Sequence, residues 1–385
     1  MDPSDDNLRL LGHLISRRLT PAAIDAGAWP AIVTQAQKHR LGPMLYWRLK
    51  QNGSESLPES LWQQLREGAL KVAKVYLLLD LARHQIQTAL AEIDVPCVWF
   101  KGSVLAPAIY PHPALRPMGD LDFLVPYAQR NEALAAVEAL RYVRLPDDLF
   151  GDVRHHYHLA GGRANLVHVE LHYWLLGRDH SELLPEEQLR WFWSQTQEIE
   201  CAPGDTLLTF TPEAHLLYLC AHALLQHGEA RMRLLHFLDL NYLVEHTAPD
   251  WDLLVEKAVE LRWSYAVEQA LQKSIAFFAT PVPEHVISTL RQKRTPADFV
   301  ERVRILQGKG FQFEHFWRTM GELSLPGKLR QFYRHLLPPR AYMRWRYQVP
   351  TGRPVWPHYL RRWYGAGQSV LNAIRLRLRL LLDQE

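Results

Sequence analysis

A short run of acidic and apolar residues between positions 116 and 125 constrains the fold more than any other feature. Gly119 is followed by Asp120 and Asp122, which are separated by one leucine and followed by apolar residues 123–125. Alternate side chains of a strand point to the same face, so the two carboxylates face one side while the apolar side chains enter a core. The run therefore predicts a buried strand that presents two acids at one place.

A second feature lies upstream of the acid pair, at a glycine–serine turn. Two carboxylates at close range are costly to keep ionised, and a divalent cation is the usual compensation, with Mg²⁺ favouring carboxylates together with phosphate oxygens. Gly102 and Ser103 lie between an expected strand and an expected helix. There, backbone amides approach a phosphate closely and the helix N-terminus favours its charge. The turn is thus a candidate phosphate site.

The elements around these two features predict a small sheet of mixed direction. In the last expected strand Glu170 alternates with His168 and His172, so Glu170 is expected to add a third carboxylate from a neighbouring strand. The strand-like runs lie at residues 95–100, 121–125, 156–160 and 166–173, and helical patterns lie between them at residues 103–110 and 131–140.

Segments with helical periodicity flank the sheet on both sides. They fill roughly the first ninety residues and return from Pro212 to about Ala279. The predicted fold class is therefore α+β, a small mixed-sheet domain flanked by N-terminal and C-terminal helical regions. The expected division is residues 1–92 for an N-terminal helical region, 93–205 for the α/β core, 206–300 for a helical domain and 301–385 for a basic, aromatic-rich C-terminal region.

The composition excludes a disordered chain. Hydrophobic residues make up 48% and charged residues 22% of the 385 residues, which suffices for more than one globular unit. No apolar run is long enough to span a bilayer, and the N-terminus is acidic where a secretory signal is basic. The three cysteines are far apart and follow no metal-ligand spacing. These features predict a cytoplasmic protein without a transmembrane segment.

Basic residues are concentrated near the C-terminus. The net charge of +3 is too small to indicate nucleic-acid binding by the whole chain, but no acid occurs between Glu322 and Asp383. Aromatic residues among the arginines of this segment can stack on bases, although arginine stems also pack on aromatic rings inside ordinary folds. Nucleic acid is therefore a candidate partner, and an interaction surface or plain scaffold is the favoured alternative.

Histidines on the two later strands raise the question of a zinc site. They lack the second ligand cluster that a structural zinc site normally shows. We therefore predict that these histidines form a polar rim around the acids and not a zinc site. They are His155, His156, His158, His168 and His172.

The chemistry-bearing motifs occur in a recognisable order. Residues 100–103 contain the glycine–serine turn, residues 115–125 the Asp-x-Asp pair, and residues 169–173 a later acid. This order resembles the uncharacterised nucleotidyltransferase family of the polymerase-β-like superfamily. One departure is Glu170, because many members of the superfamily have aspartate at that position.

The resemblance extends outside the sheet and covers roughly residues 30–245. Residues 38–46 resemble the N-terminal helical motif of the family. The segment that contains His222, Arg233 and Asp239 resembles the second helical motif of the family. The resemblance implies that these three residues bind nucleotide, and a buried polar network between two helices is the equal alternative.

The resemblance also implies a reaction, in which an acceptor oxygen attacks the α-phosphorus of a nucleoside triphosphate and releases pyrophosphate. ATP is the expected nucleotide. Asp120, Asp122 and Glu170 are the expected catalytic and metal-binding residues, with Mg²⁺ as the cofactor and Mn²⁺ as its alternative, and Glu170 is expected to help activate the acceptor.

Nucleotide binding is expected at the turn and its neighbouring cations. Gly102 and Ser103 would hold the terminal phosphates, and Lys101 and Arg116 would offset their charge. The alternative for both cations is a solvated position or an ion pair with the acids.

Three functions fit the sequence. The first is an enzyme that moves a nucleoside monophosphate to a hydroxyl-type acceptor on a small molecule, peptide or protein. The second is a non-catalytic nucleotide- or partner-binding module on the same fold, and the third is a nucleic-acid-directed nucleotidyltransferase. The intact acid set favours the first over the second, and the modest net charge favours it over the third.

Overall fold

The computed structural model describes residues 3–53, 57–146, 155–161, 167–176, 186–226, 232–295, 298 and 324–382. Helices open the chain, as their periodicity predicts. The fourth is 33 residues long, which corresponds to about 50 Å. Arg48 joins two of the others, because its Nε donates to the Ile15 carbonyl at 2.8 Å. These helices are α1 (Pro3–Ile15), α2 (Trp29–Lys38), α3 (Gly42–Asn52) and α4 (Glu59–Ala91).

A five-stranded sheet follows, with the strand order β1-β2-β5-β4-β3. Only the central pair β2 and β5 is parallel, while β1 with β2, β5 with β4 and β4 with β3 are antiparallel. The predicted mixed direction is thus confirmed. The strands are β1 (Val98–Trp99), β2 (Leu121–Leu124), β3 (Val143–Arg144), β4 (His156–Gly161) and β5 (Val167–His172).

Two helices connect the strands where the sequence predicts them, and a third follows the sheet. The first connecting helix begins at Gly102, directly after the turn that follows β1, and it contains a buried apolar cluster that packs on β2. The three helices are α5 (Gly102–Ile109), α6 (Arg130–Ala139) and α7 (Glu186–Ser194).

A two-stranded hairpin, β6 (Thr196–Ala202) with β7 (Asp205–Phe210), lies beside β1. The hydroxyl of Thr209 donates to the Trp99 carbonyl at 2.8 Å, which joins β7 to β1. The sequence interpretation assigns no hairpin here. A signal was nevertheless present, since a proline–glycine turn lies between the two strands and Gly204 has a φ of +77°, a conformation that favours glycine.

An ion pair fixes this hairpin to the long helix α4. The guanidinium of Arg83, which is 2% exposed, lies 3.0 and 2.7 Å from the two carboxylate oxygens of Asp205. The same guanidinium also donates to Asp80 at 2.9 Å. Because Arg83 is buried, removal of Asp205 leaves its charge with Asp80 as the one remaining carboxylate partner among the described residues and leaves two of its donors without their acceptors.

Helices return after the hairpin. The first of them continues into a π-helical turn, His222–Gln226, so its last residues turn more widely than the sequence pattern predicts. One apolar core runs from Leu11 to Leu290 and joins the N-terminal helices, the sheet and this group. The helices are α8 (Pro212–Ala221), α9 (Leu234–His246), α10 (Trp251–Glu260), α11 (Ser264–Phe278) and α12 (Glu284–Gln292).

The C-terminal segment is helical between its prolines. Its small core of Tyr342, Met343 and Val355 is separate from the main one. Across the described part of the chain, every helix is too short or too polar to cross a membrane. The helices are α13 (Leu325–Leu336), α14 (Arg340–Tyr347) and α15 (Trp356–Leu382).

The α+β class is confirmed, and the four-part division of the chain stays a prediction. The boundary expected at residue 205 falls at the first residue of β7. Residues 162–166, between β4 and β5, lie outside the described residues.

The Arg83–Asp205 ion pair gives a test of the fold. Asp205→Ala is expected to lower the free energy of unfolding by about 2 kcal/mol, because buried Arg83 loses two charge-assisted hydrogen bonds and keeps only its pair with Asp80. Urea denaturation followed by circular dichroism measures the change. Glu198→Ala, an exposed acid on the same hairpin, is the control and should change stability by less than about 0.5 kcal/mol. Equal effects of the two substitutions would show that the pair does not anchor the hairpin.

Candidate active site

The predicted acids meet at the junction of β2 and β5. Asp122 and Glu170 are direct neighbours in the parallel register, and Asp122 is 3% exposed. Asp120 precedes β2 and lines the same cavity as the other two acids. Burial, reinforced by the charges of Asp122 and Glu170, raises the pKa of Asp120 to about 7. The three carboxylates are therefore close enough to affect one another's ionisation.

Two basic side chains compensate the acid pair. The ammonium of Lys101 lies 2.7 Å from Asp122 Oδ1 and 3.8 Å from Glu170 Oε2. His172 Nε2 likewise lies 3.3 Å from the same Asp122 oxygen and 3.4 Å from Glu170 Oε2. Lys101 thus takes the position that the sequence interpretation gave as its alternative, an ion pair with the acids.

The charge states follow from these contacts. Burial alone would lower the pKa of Lys101, but Asp122 and the neighbouring acids hold it well above its usual value. Burial alone would raise the pKa of Glu170, but His156, His172 and Lys101 hold it well below its usual range. Glu170 is therefore an ionised carboxylate beside a charged ammonium at neutral pH.

The turn between β1 and α5 places Lys101 in this position. Lys101 has a positive φ of 52°, which is strained for a residue with a side chain. Its backbone N–H donates to His215 Nε2 at 3.2 Å. Ser103 Oγ accepts from the Asp122 backbone N–H at 2.9 Å, so this hydroxyl is directed at β2 and Ser103 is 2% exposed. The turn is thus bonded to the strand that carries the acid pair.

Arg116 and Asp239 form a buried ion pair at the edge of the same site. Arg116 Nε and Nη2 donate to the two oxygens of Asp239 at 2.8 and 2.7 Å, and Tyr110 donates to Asp239 at 2.6 Å. Burial opposes the charge on Arg116, but Asp239 raises the pKa of Arg116 above its usual value. A Cβ at Gly102 would lie 2.0 Å from Arg116 Nη1, so only glycine fits between this arginine and α5.

The two remaining nucleotide-site candidates line the cavity from the helical region. His222 begins the π-helical turn after α8, and its ring stacks on Tyr218 with a centroid distance of 5.6 Å. Arg233 is the residue before α9, and its N–H donates to His236 Nδ1 at 3.3 Å. Both side chains border the same space as the acids.

Several cavity residues were not assigned a role from the sequence. Lys38 and Arg40 border the cavity from the end of α2, although the sequence shows them only as part of a family-like motif. His172 is fully buried against the acids, so it is part of the site and not of a rim. Its position two residues after Glu170 on one strand was the available signal.

The cavity has a volume of about 1220 Å³. Pockets for small ligands typically measure about 300–1,000 Å³, so this one has room for more than one ligand. The acids line it, and so do Arg346, Arg361 and Trp363 from α14 and α15. Two ligands can therefore occupy it together.

The donor set fits a divalent cation. One oxygen each of Asp122 and Glu170 and one nitrogen of His172 lie within 4.8 Å of one another. Two carboxylates suit Mg²⁺, which usually binds one or two carboxylates together with phosphate oxygens and water. Because Lys101 lies against both acids, a bound ion would share their charge with this ammonium or replace it.

A mixed sheet with paired acids beside a glycine turn defines the nucleotidyltransferase class of protein. The model of a family described as uncharacterised nucleotidyltransferase matches residues 25–278. This match covers more than half of the chain, and the chain therefore belongs to that family. No curated protein matches the chain significantly. Family membership supports nucleotidyl transfer in general terms.

The close contact at Gly102 gives a test of the site's packing. Gly102→Ala is expected to destabilise the protein by about 1–3 kcal/mol, because the new methyl group would collide with Arg116 and with Met118. Thermal unfolding measures the loss. Gly119→Ala is the matched control in the same cavity, since its new Cβ would meet its nearest neighbour at 3.9 Å. Equal stability of both variants would contradict the packing described for Arg116.

Proposed function

We propose that the chain is a Mg²⁺-dependent nucleotidyltransferase that moves a nucleoside monophosphate from a nucleoside triphosphate to a hydroxyl-type acceptor. ATP is the proposed nucleotide, and Mn²⁺ is an alternative cofactor. The observation that carries the proposal is the pairing of Asp122 with Glu170 across parallel strands, next to a glycine turn and inside one cavity. Family membership supports the same reaction class.

Asp120, Asp122 and Glu170 are the proposed metal ligands. A bound Mg²⁺ supplies neutralisation of phosphate charge and polarises the phosphoryl oxygens. Lys101 already neutralises part of the acid charge at 2.7 Å from Asp122. In the proposed complex its ammonium turns from this carboxylate toward the phosphates, which are the other anions within the cavity.

The phosphates are placed by groups around the glycine turn. The N-terminus of α5 begins at Gly102 and offers backbone amides to the triphosphate, which the helix dipole favours. Ser103 contributes through its amide, since its hydroxyl is bonded to β2. Arg116 adds positive charge from its fixed pair with Asp239, and Arg233 and His222 border the nucleotide from the other side.

The chemical step transfers one proton. The acceptor oxygen attacks the α-phosphorus, the bond between the α-phosphorus and the bridging oxygen breaks, and pyrophosphate leaves with the bonding electrons. Glu170 is the proposed acceptor of the hydroxyl proton; its carboxylate is ionised, and the contacts that lower its pKa must loosen in the complex for it to act as an effective base.

A nucleic-acid acceptor is the second candidate, because Arg361 and Trp363 of the C-terminal helices line the same cavity as the acids. A non-catalytic binding module is the third, and the Lys101–Asp122 contact is the observation that favours it. Incubation with each labelled triphosphate and Mg²⁺ separates the three. Pyrophosphate release with small hydroxyl acceptors supports the first, release only with RNA or DNA the second, and nucleotide binding without release the third.

Loss of one acid tests the proposed chemistry. Asp122→Asn keeps the side-chain volume and removes the charge, so pyrophosphate release should fall by at least about 100-fold. The exposed acid variant Glu198→Gln serves as the control and should retain the wild-type rate. Circular dichroism checks that the Asp122 variant is folded, and wild-type turnover in a folded Asp122→Asn protein would contradict metal-assisted transfer.

The pKa of Asp120 predicts a pH dependence of metal binding. In the metal-free protein this pKa is raised to about 7 by burial and by the neighbouring acids, so below that pH a metal ion must displace a proton. Mg²⁺ affinity should therefore rise by about tenfold per pH unit up to about pH 7 and level off above it. Calorimetric titration of the wild type and of Asp120→Asn measures this. The variant should bind more weakly and without the slope, and a pH-independent wild-type affinity would exclude Asp120 as a ligand.

A further inference from the structure

Three imidazole rings meet beside Glu170. His156 and His172 are direct partners in the antiparallel register of β4 and β5, and His155 precedes β4. The ring centroids of His156 and His172 are 4.9 Å apart. The centroid of the His155 ring lies 4.3 Å from that of His156 and 5.3 Å from that of His172. One nitrogen of each ring lies within 4.8 Å of the others. The strand register thus supplies the second ligand cluster that the spacing in the sequence lacks.

Two of these rings have a hydrogen-bond contact with a neighbouring group through one ring nitrogen. Such contacts orient histidine ligands of metals. His172 Nδ1 lies 3.3 Å from the Trp174 carbonyl, so its N–H donates there, and a metal ion would bind at Nε2 in place of the proton that this nitrogen shares with the acids. His155 Nε2 lies 3.1 Å from the side-chain amide of Gln226. The Oε1 of Gln226 is buried without a partner among the described residues, and a half-turn of the amide lets it accept from His155.

A carboxylate completes the donor set. Glu170 Oε1 lies 3.8 Å from His156 Nε2, and Glu170 Oε2 lies 3.4 Å from His172 Nε2. Three imidazoles with one oxygen ligand suit a transition-metal cation such as zinc, which binds nitrogen at about 2.0–2.1 Å. Mg²⁺ prefers oxygen ligands and does not suit this set. Small ring rotations bring the nitrogens from their present spacing to bonding distance.

We propose that His155, His156 and His172, with Glu170 as the oxygen ligand, form a binding site for a transition-metal cation of the zinc type. This site shares Glu170 and His172 with the donor set described above for a divalent cation, and its other two ligands, His155 and His156, lie outside that set. A metal held there would fix the orientation of Glu170 and join β4 to β5. Metal loading is measured without nucleotide, so failure of this proposal and failure of nucleotidyl transfer are distinguishable.

Cobalt titration of the full chain tests the proposal. After removal of metal with a chelator, Co²⁺ should bind at one ion per chain and produce the intense visible bands of four-coordinate cobalt. Zn²⁺ should abolish these bands, and excess Mg²⁺ should not. The spectrum of the wild-type protein reports the coordination number of cobalt without any substitution. The test therefore stays valid even if a ligand variant fails to fold.

Substitutions assign the ligands. His155→Gln and His156→Gln should weaken Zn²⁺ binding by at least about tenfold. His168→Gln is the matched control, because its ring contacts His158 at 3.3 Å and lies outside the three-histidine cluster. Three results would overturn the proposal: a cobalt spectrum with octahedral bands alone, displacement of cobalt by Mg²⁺, or equal Zn²⁺ affinity in folded His156→Gln and His168→Gln. Those results would leave a hydrogen-bonded imidazole cluster only, or adventitious binding to other histidines.

Discussion

The parallel pairing of β2 with β5 is the constraint on which the site depends. It places Asp122 directly beside Glu170 in a poorly solvated position, where two carboxylates repel each other strongly. The fold compensates this repulsion with Lys101 and His172, which both contact Oδ1 of Asp122. The ammonium of Lys101 reaches the acids from a short turn between β1 and α5. This placement accompanies the strained backbone of Lys101 and the close fit of Gly102.

Local sequence was sufficient for the sheet and for its acids. The alternation around Asp120 and Asp122 predicted a buried strand, and the glycine–serine turn predicted the start of α5. Glu170 was expected on a neighbouring strand, and the register makes it the direct partner of Asp122. These predictions succeeded because side-chain periodicity within one strand is a local property.

Properties that depend on distant pairing were not predictable in the same way. The histidines of β4 and β5 meet only through the register of those strands, so their spacing in sequence raised the question of a zinc site but favoured a polar rim. The partner of Arg116 is Asp239, which lies 123 positions away on a helix. One alternative from the sequence had instead paired this arginine with the acids of β2. The C-terminal helices likewise line the cavity through tertiary packing that no local pattern encodes.

The central claim is that Asp122 and Glu170 share a divalent ion next to a bound triphosphate. Anomalous diffraction from a crystal grown with Mn²⁺ and a non-hydrolysable ATP analogue tests it most directly. The account predicts a manganese peak between these two carboxylates, phosphates at the N-terminus of α5, and the Lys101 ammonium turned away from Asp122. A crystal with nucleotide bound but no manganese at these acids, and with the Lys101–Asp122 contact unchanged, would contradict it.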